Sequence, residues 1–136
     1  MTDLTTPTQM RILFIDDSPD DALLLQFACS ESGLDAEYKL VDSADALNEA
    51  LHETWHAIVS DFRMPGFGAE PALQIIRQRD ERIPFIVVSH AINTEETEKL
   101  LALGADEVLE KSARPSLPLV IKKRIASAYA ATPLHN

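Results

Sequence analysis

Five short runs divide the chain at regular intervals: "MRILFI" (10–15), "AEYKLV" (36–41), "HAIVS" (56–60), "PFIVVS" (84–89) and "DEVLE" (106–110). Each is too short for a helix, and most are rich in β-branched and aromatic residues, so each reads as a strand. The intervals between them carry helical spacing. Short apolar strands that alternate with helices imply a parallel sheet covered on both faces. The expected fold class is therefore α/β: a three-layer, doubly wound, five-stranded parallel sheet. The flavodoxin-like order 2-1-3-4-5 is the expected arrangement.

End signals place the helices. Ser18 suits an N-cap, Pro19 the first helical position, and Asp20 and Asp21 the first turn, where the helix dipole favours negative charge. That helix runs through "ALLLQFACSES" and stops at Gly33. Ser43 caps a second helix through "ADALNEALHET". A third, "AEPALQIIRQRD", turns Ala72, Leu73 and Ile76 inward. Thr94 caps a fourth that ends at Gly104. The last spans about Pro115 to Ala130, with Leu117, Val120, Ile121, Ile125 and Ala128 on one face. Residues 1–9 read as a loose tail, 10–131 as one domain and 132–136 as a C-terminal tail.

Composition narrows the partners. A chain of 136 residues suits a single domain. A domain this size buries roughly 70% of its unfolded surface and needs no staples. The net charge of −10 disfavours nucleic acid and anionic membrane, because both are polyanions. The lone Cys29 fits a reducing compartment and reads as a small core residue. No leader pattern and no long apolar window is visible, so the expected location is cytoplasmic. The last helix nearly reaches the C-terminus, so no effector domain is expected. "IKKR" (121–124) reads as the wet face of that helix. His52 and His56 lie four apart, but Trp55 and the following strand break the helical register, which argues against a metal pair.

The chemistry lies at the strand ends. Asp16 and Asp17 follow the first strand, Asp61 ends the third, Ser89 and His90 the fourth, and Lys111 the fifth. In an open parallel sheet all these ends share one edge, where ligands bind. In the order 2-1-3-4-5, strands one and three are neighbours, so the three aspartates crowd together. Crowded carboxylates raise one another's pKa, and a hard divalent cation such as Mg²⁺ removes the conflict. Lys111 adds a positive charge, and the Ser89 hydroxyl comes within reach. These are the parts of phosphoryl transfer onto a carboxylate, in which catalysis is mostly positioning and charge neutralisation.

"ILFIDDSPDD", "SDFRMPGF", "PFIVVSH" and "GADEVLEKS" together resemble the receiver domain of bacterial two-component response regulators, with its CheY-like fold. The likeness covers about residues 10 to 130. It implies that Asp61 is the phosphoacceptor, fed by a sensor histidine kinase or a histidine phosphotransfer protein. It implies that Asp16 and Asp17 bind Mg²⁺, Asp17 more directly, with Asp61 and the main-chain carbonyl of Arg63. Lys111 would pair with phosphoryl oxygens, and Ser89 would move toward the phosphoryl group. The output would be protein–protein contact with a downstream target, and copies could pair through the strand-five side. The chain would be no enzyme beyond its own autophosphorylation and autodephosphorylation.

Three positions depart from the pattern. Val108 stands where an aromatic switch residue is usual, so this position has no aromatic rotamer to couple to Ser89. Ser112, not proline, follows Lys111, so no cis Lys-Pro bond can form there. His90 stands where a small residue is usual and would hinder water at the acyl phosphate. Two other classes compete. An aspartyl-phosphate-forming phosphohydrolase would present an acid two residues after its nucleophile, where this chain has Arg63. A phosphorylation-independent interaction module would not need the full set of chemical residues.

Overall fold

The computed structural model describes residues 10–79 and 82–131, so both expected tails, 1–9 and 132–136, lie outside the described residues. The element order is β1 (Met10–Ile15), α1 (Pro19–Glu31), β2 (Ala36–Val41), α2 (Ala44–Ala50), β3 (Ala57–Asp61), β4 (Arg63–Met64), β5 (Phe67–Gly68), α3 (Ala69–Arg79), β6 (Phe85–Ser89), α4 (Thr94–Leu103), β7 (Glu107–Glu110), then a 3₁₀ turn (Lys111–Ser116) and α5 (Leu117–Ala131). The main sheet has five strands in the order β2-β1-β3-β6-β7. Every pairing within it is parallel. This is the expected flavodoxin-like arrangement, and the five expected strands are its five members.

Alternation along the central strands explains why both faces are covered. Leu13 and Ile15 of β1, Ile58 of β3, and Phe85 and Val87 of β6 pack with Leu47, Leu73, Ile76 and Leu100 from α2, α3 and α4. Their sequence neighbours Ile12, Phe14, Ala57, Val59, Ile86 and Val88 pack on the other face, with Leu25 and Cys29 of α1 and Leu117, Ile121 and Ile125 of α5. Residues i and i+1 of a strand point to opposite faces, so a strand buried on both sides must be apolar throughout. Burial pushes the Cys29 thiol up to about 12, which leaves it an inert core group.

Several boundaries differ from the sequence expectation. Asn93, not Thr94, caps α4: its side chain accepts from the Glu96 N–H, and the Glu96 side chain accepts in return from the Asn93 N–H. The full capping box satisfies two orphan donors, which a threonine one residue later would not. α2 is only seven residues long and ends at Ala50, and the Trp55 indole N–H then donates to the Ala50 carbonyl at 2.8 Å. α5 begins at Leu117, because residues 111–116 take the tighter 3₁₀ form around Pro115. A two-stranded hairpin, β4–β5, was not expected; it pairs Arg63 with Gly68 and Met64 with Phe67. Gly68 is required there: a Cβ would lie 2.7 Å from the Phe62 carbonyl oxygen.

His56 is no metal ligand partner of His52. Its Nδ1 accepts the Arg11 backbone N–H at 2.9 Å, and burial lowers its pKa. Among the described residues, no helix is long and apolar enough to cross a membrane.

Candidate functional site

The C-terminal ends of β1, β3, β6 and β7 converge as the sequence requires. Parallel pairing of β1 with β3 sets Ile15 beside Ser60, so Asp16 and Asp61 leave adjacent strands one step further on. Asp16 is buried (2% exposed), Asp61 nearly so (8%), and Asp17 faces solvent. One carboxylate oxygen from each of Asp16, Asp17 and Asp61 lies within 4.8 Å of the other two. Lys111 arrives from the end of β7, itself buried, with Nζ 3.0 Å from Asp16 Oδ2 and 3.2 Å from Asp61 Oδ1.

The second Asp16 oxygen accepts the Ser18 N–H at 2.9 Å, which fixes the carboxylate at the start of α1. Ser18 in turn caps that helix by accepting from the Asp21 N–H. Asp21 enters the site from there. Its Oδ2 accepts from Lys111 Nζ at 2.8 Å and lies 3.0 Å from His90 Nε2. The helix-dipole argument applies to Asp20 and Asp21 alike and does not reveal this contact. A signal was available: Cβ atoms on a helix tilt toward its N-terminus, so the third helical residue reaches back toward the strand end.

The charges shape one another. Asp61 is held above the ordinary carboxylate pKa, first by burial and then by the charge of Asp16; Lys111 opposes both. Burial alone would depress the Lys111 pKa, but hydrogen bonds to Asp21 and Asp16 and the charges of Asp16 and Asp61 lift it above the ordinary value. Lys111 therefore stays an ammonium. Asp21 is held below its ordinary value, chiefly by Lys111 against the cost of burial, with His90 assisting.

Three carboxylates (Asp16, Asp21 and Asp61) contact one ammonium and Asp17 clusters with two of them, so acid outnumbers base at the rim before any ion is counted. Three all-oxygen donors at one open edge match the preference of Mg²⁺ for a few carboxylates and retained water. The residues present therefore fit this ion, and no softer ligand stands among the three.

The side chains of Ser89 and Arg63 have partners of their own beside the cluster. The Ser89 hydroxyl is buried and donates to the Ala91 carbonyl of its own loop at 2.9 Å. The Arg63 guanidinium is exposed, pairs with Glu96 in the first turn of α4 and lies over the Phe62 ring at 4.8 Å. Val108 is partly buried against the core face that α4 covers. Between β4–β5, α3 and α4 lies a groove of about 460 Å³ whose lining includes Phe62, Met64, Phe67 and Lys99.

The response regulator receiver domain family matches residues 12–121 of the chain. The chain is 30% identical over 126 residues to the transcriptional regulatory protein PrrA of Mycobacterium tuberculosis, covering 93% of this chain and 51% of that protein. It thus spans about half the length of that relative. It is 25% identical over 124 residues to the probable chemotaxis protein CheY of Rhizobium etli, covering 90% and 92% of the two chains. Among solved structures it superimposes on the receiver domain of sensor histidine kinase PA1611 from Pseudomonas aeruginosa, a structure with a magnesium ion in its active-site cleft. That match has a TM-score of 0.74 at 24% identity and covers 88% of this chain and 99% of that one. On its sheet order, its acidic rim and this match over most of its length, the chain belongs to the response regulator receiver domain family of two-component signalling.

Proposed function

We propose that the chain accepts a phosphoryl group on Asp61 from a histidine kinase or phosphotransfer protein and signals through phosphorylation-dependent protein contacts. One observation carries this reading. Asp61 sits at the rim with an ammonium 3.2 Å away and two further carboxylates clustered beside it. An Asp61 oxygen attacks phosphorus, the bond from phosphorus to the donor imidazole nitrogen breaks, and the electron pair leaves with the imidazole. Asp16, Asp17, Asp61 and the Arg63 main-chain carbonyl would hold Mg²⁺. The bound ion supplies charge neutralisation on the phosphoryl oxygens. Lys111 supplies the same from the protein side, and its buried stem fixes the direction of approach.

The Ser89 hydroxyl is within one rotamer change of leaving Ala91, and its movement would pull on the loop between β6 and α4. With Val108 in place of an aromatic ring, that loop and the Arg63–Glu96 pair are the available route to α4. The downstream target is a protein, and relay, allosteric docking and phosphate draining are its three candidate uses. A phosphohydrolase would need an acid where Arg63 stands, and here that side chain is engaged with Glu96.

Incubation with acetyl phosphate and Mg²⁺, followed by intact mass measurement, tests the reading. The wild type should gain one phosphoryl group and Asp61→Asn none. A gain that survives Asp61→Asn, or catalytic turnover of small phosphate esters, would refute it.

A further inference from the structure

The Lys111 ammonium has three N–H donors, and three carboxylates lie around it: Asp21 at 2.8 Å, Asp16 at 3.0 Å and Asp61 at 3.2 Å. A new anionic oxygen can bind only where one of these lets go. Asp16 and Asp61 belong to the trio that fits a metal ion; Asp21 does not. Asp21 also has a second partner, since the oxygen that takes Lys111 also meets His90 Nε2 at 3.0 Å. An ionised carboxylate only accepts, so Nε2 carries the proton of that bond. His90 is mostly exposed on the loop after β6, and through this shared oxygen it joins that loop to the first turn of α1.

We infer that Asp21 is an exchangeable partner of Lys111: a positioning residue that holds the ammonium in the resting pocket and yields it to an arriving phosphoryl group while His90 retains the carboxylate. The inference rests on the reading of Asp61 as phosphoacceptor. Asp21 competes with the phosphoryl oxygens for Lys111, and His90 weakens its grip by sharing the oxygen. Loss of the two side chains should therefore have opposite effects. Asp21→Asn speeds phosphorylation and His90→Ala slows it, each by about fivefold, the scale of one partly buried charge-assisted bond. In an Asp21→Asn background, His90→Ala should have no further effect.

The experiment is a mass time course with acetyl phosphate and Mg²⁺ on the wild type, the two single variants, the double variant and Asp20→Asn. Asp20 is exposed in the same helical turn and serves as the charge control. If Asp21→Asn and Asp20→Asn accelerate equally, the effect is general repulsion and the inference falls. It also falls if His90→Ala acts equally in both backgrounds. A wild type that gains no phosphoryl group overturns the functional reading and this inference together. A second readout needs no variant: beryllium fluoride with Mg²⁺ should move the Asp21 carboxyl ¹³C resonance and leave that of Asp20 in place. An unmoved Asp21 resonance overturns the inference alone.

Discussion

The most consequential residue is Lys111, because among the described residues it is the buried cation and it faces buried acids. Replacing it with methionine leaves Asp16, Asp21 and Asp61 facing one another without a counter-charge. The expected cost is about 3 kcal/mol, the scale of breaking a buried ion pair by removing one partner. Added Mg²⁺ should recover part of it, and urea denaturation with and without the ion would check both statements. Asp61→Asn has the opposite sign. The folded-state pKa of Asp61 lies above its unfolded value, so its ionisation opposes folding. That cost is absent at pH below the unfolded pKa and grows as pH rises through the folded one. Asp61→Asn should therefore be more stable than the wild type at neutral pH in the absence of Mg²⁺, with the difference vanishing in acid. A pH series of melting curves would test this. Asp16, Asp17, Asp61 and Lys111 were legible in the sequence because strand ends in a parallel sheet share one rim. Asp21 was not, because adjacent acids in a first turn have the same helix-dipole argument and only side-chain direction separates them.

At the scale of elements, the legible features were those with strong periodicity, and the illegible ones were short. Ser18 and Ser43 cap as their positions suggested. The choice between Asn93 and Thr94 turned on one residue: both are good caps, but only Asn93 has Glu96 three positions on. Asn93→Ala should lower stability by about 1 kcal/mol. It should also loosen Glu96, whose other oxygen holds Arg63, so faster amide exchange in the first turn of α4 is the expected signature. The β4–β5 hairpin has two residues per strand, too few to leave an alternation in the sequence. Its requirement appears instead as sterics. Gly68→Ala would force a methyl within 2.7 Å of the Phe62 carbonyl oxygen, which also accepts the Ala69 N–H. Reduced phosphorylation by acetyl phosphate, together with a lowered melting temperature, is expected for that variant.

For the whole molecule, the sheet order and its two covered faces were legible because both depend on patterns repeated five times over. Strands covered by helices on both sides carry apolar residues on both faces, and β1, β3 and β6 do so through the core. The excess of acid at the rim would set the global response to Mg²⁺. An ion that binds only the folded chain stabilises it by RT ln(1 + [L]/Kd), about 2.7 kcal/mol at a hundredfold excess over Kd. The melting temperature should rise with Mg²⁺ in the wild type and rise less in Asp17→Asn, whose carboxylate is the exposed member of the cluster.

The gathering of reactive groups at strand termini has a further consequence. The outward surfaces of α1, α4 and α5, with Leu24, Leu101 and Leu119 in water, contribute nothing to that chemistry. Under the proposed function, substitutions there would leave the rim groups untouched, so the outer surface and the covalent event would be free to drift apart under selection without a shared mutation.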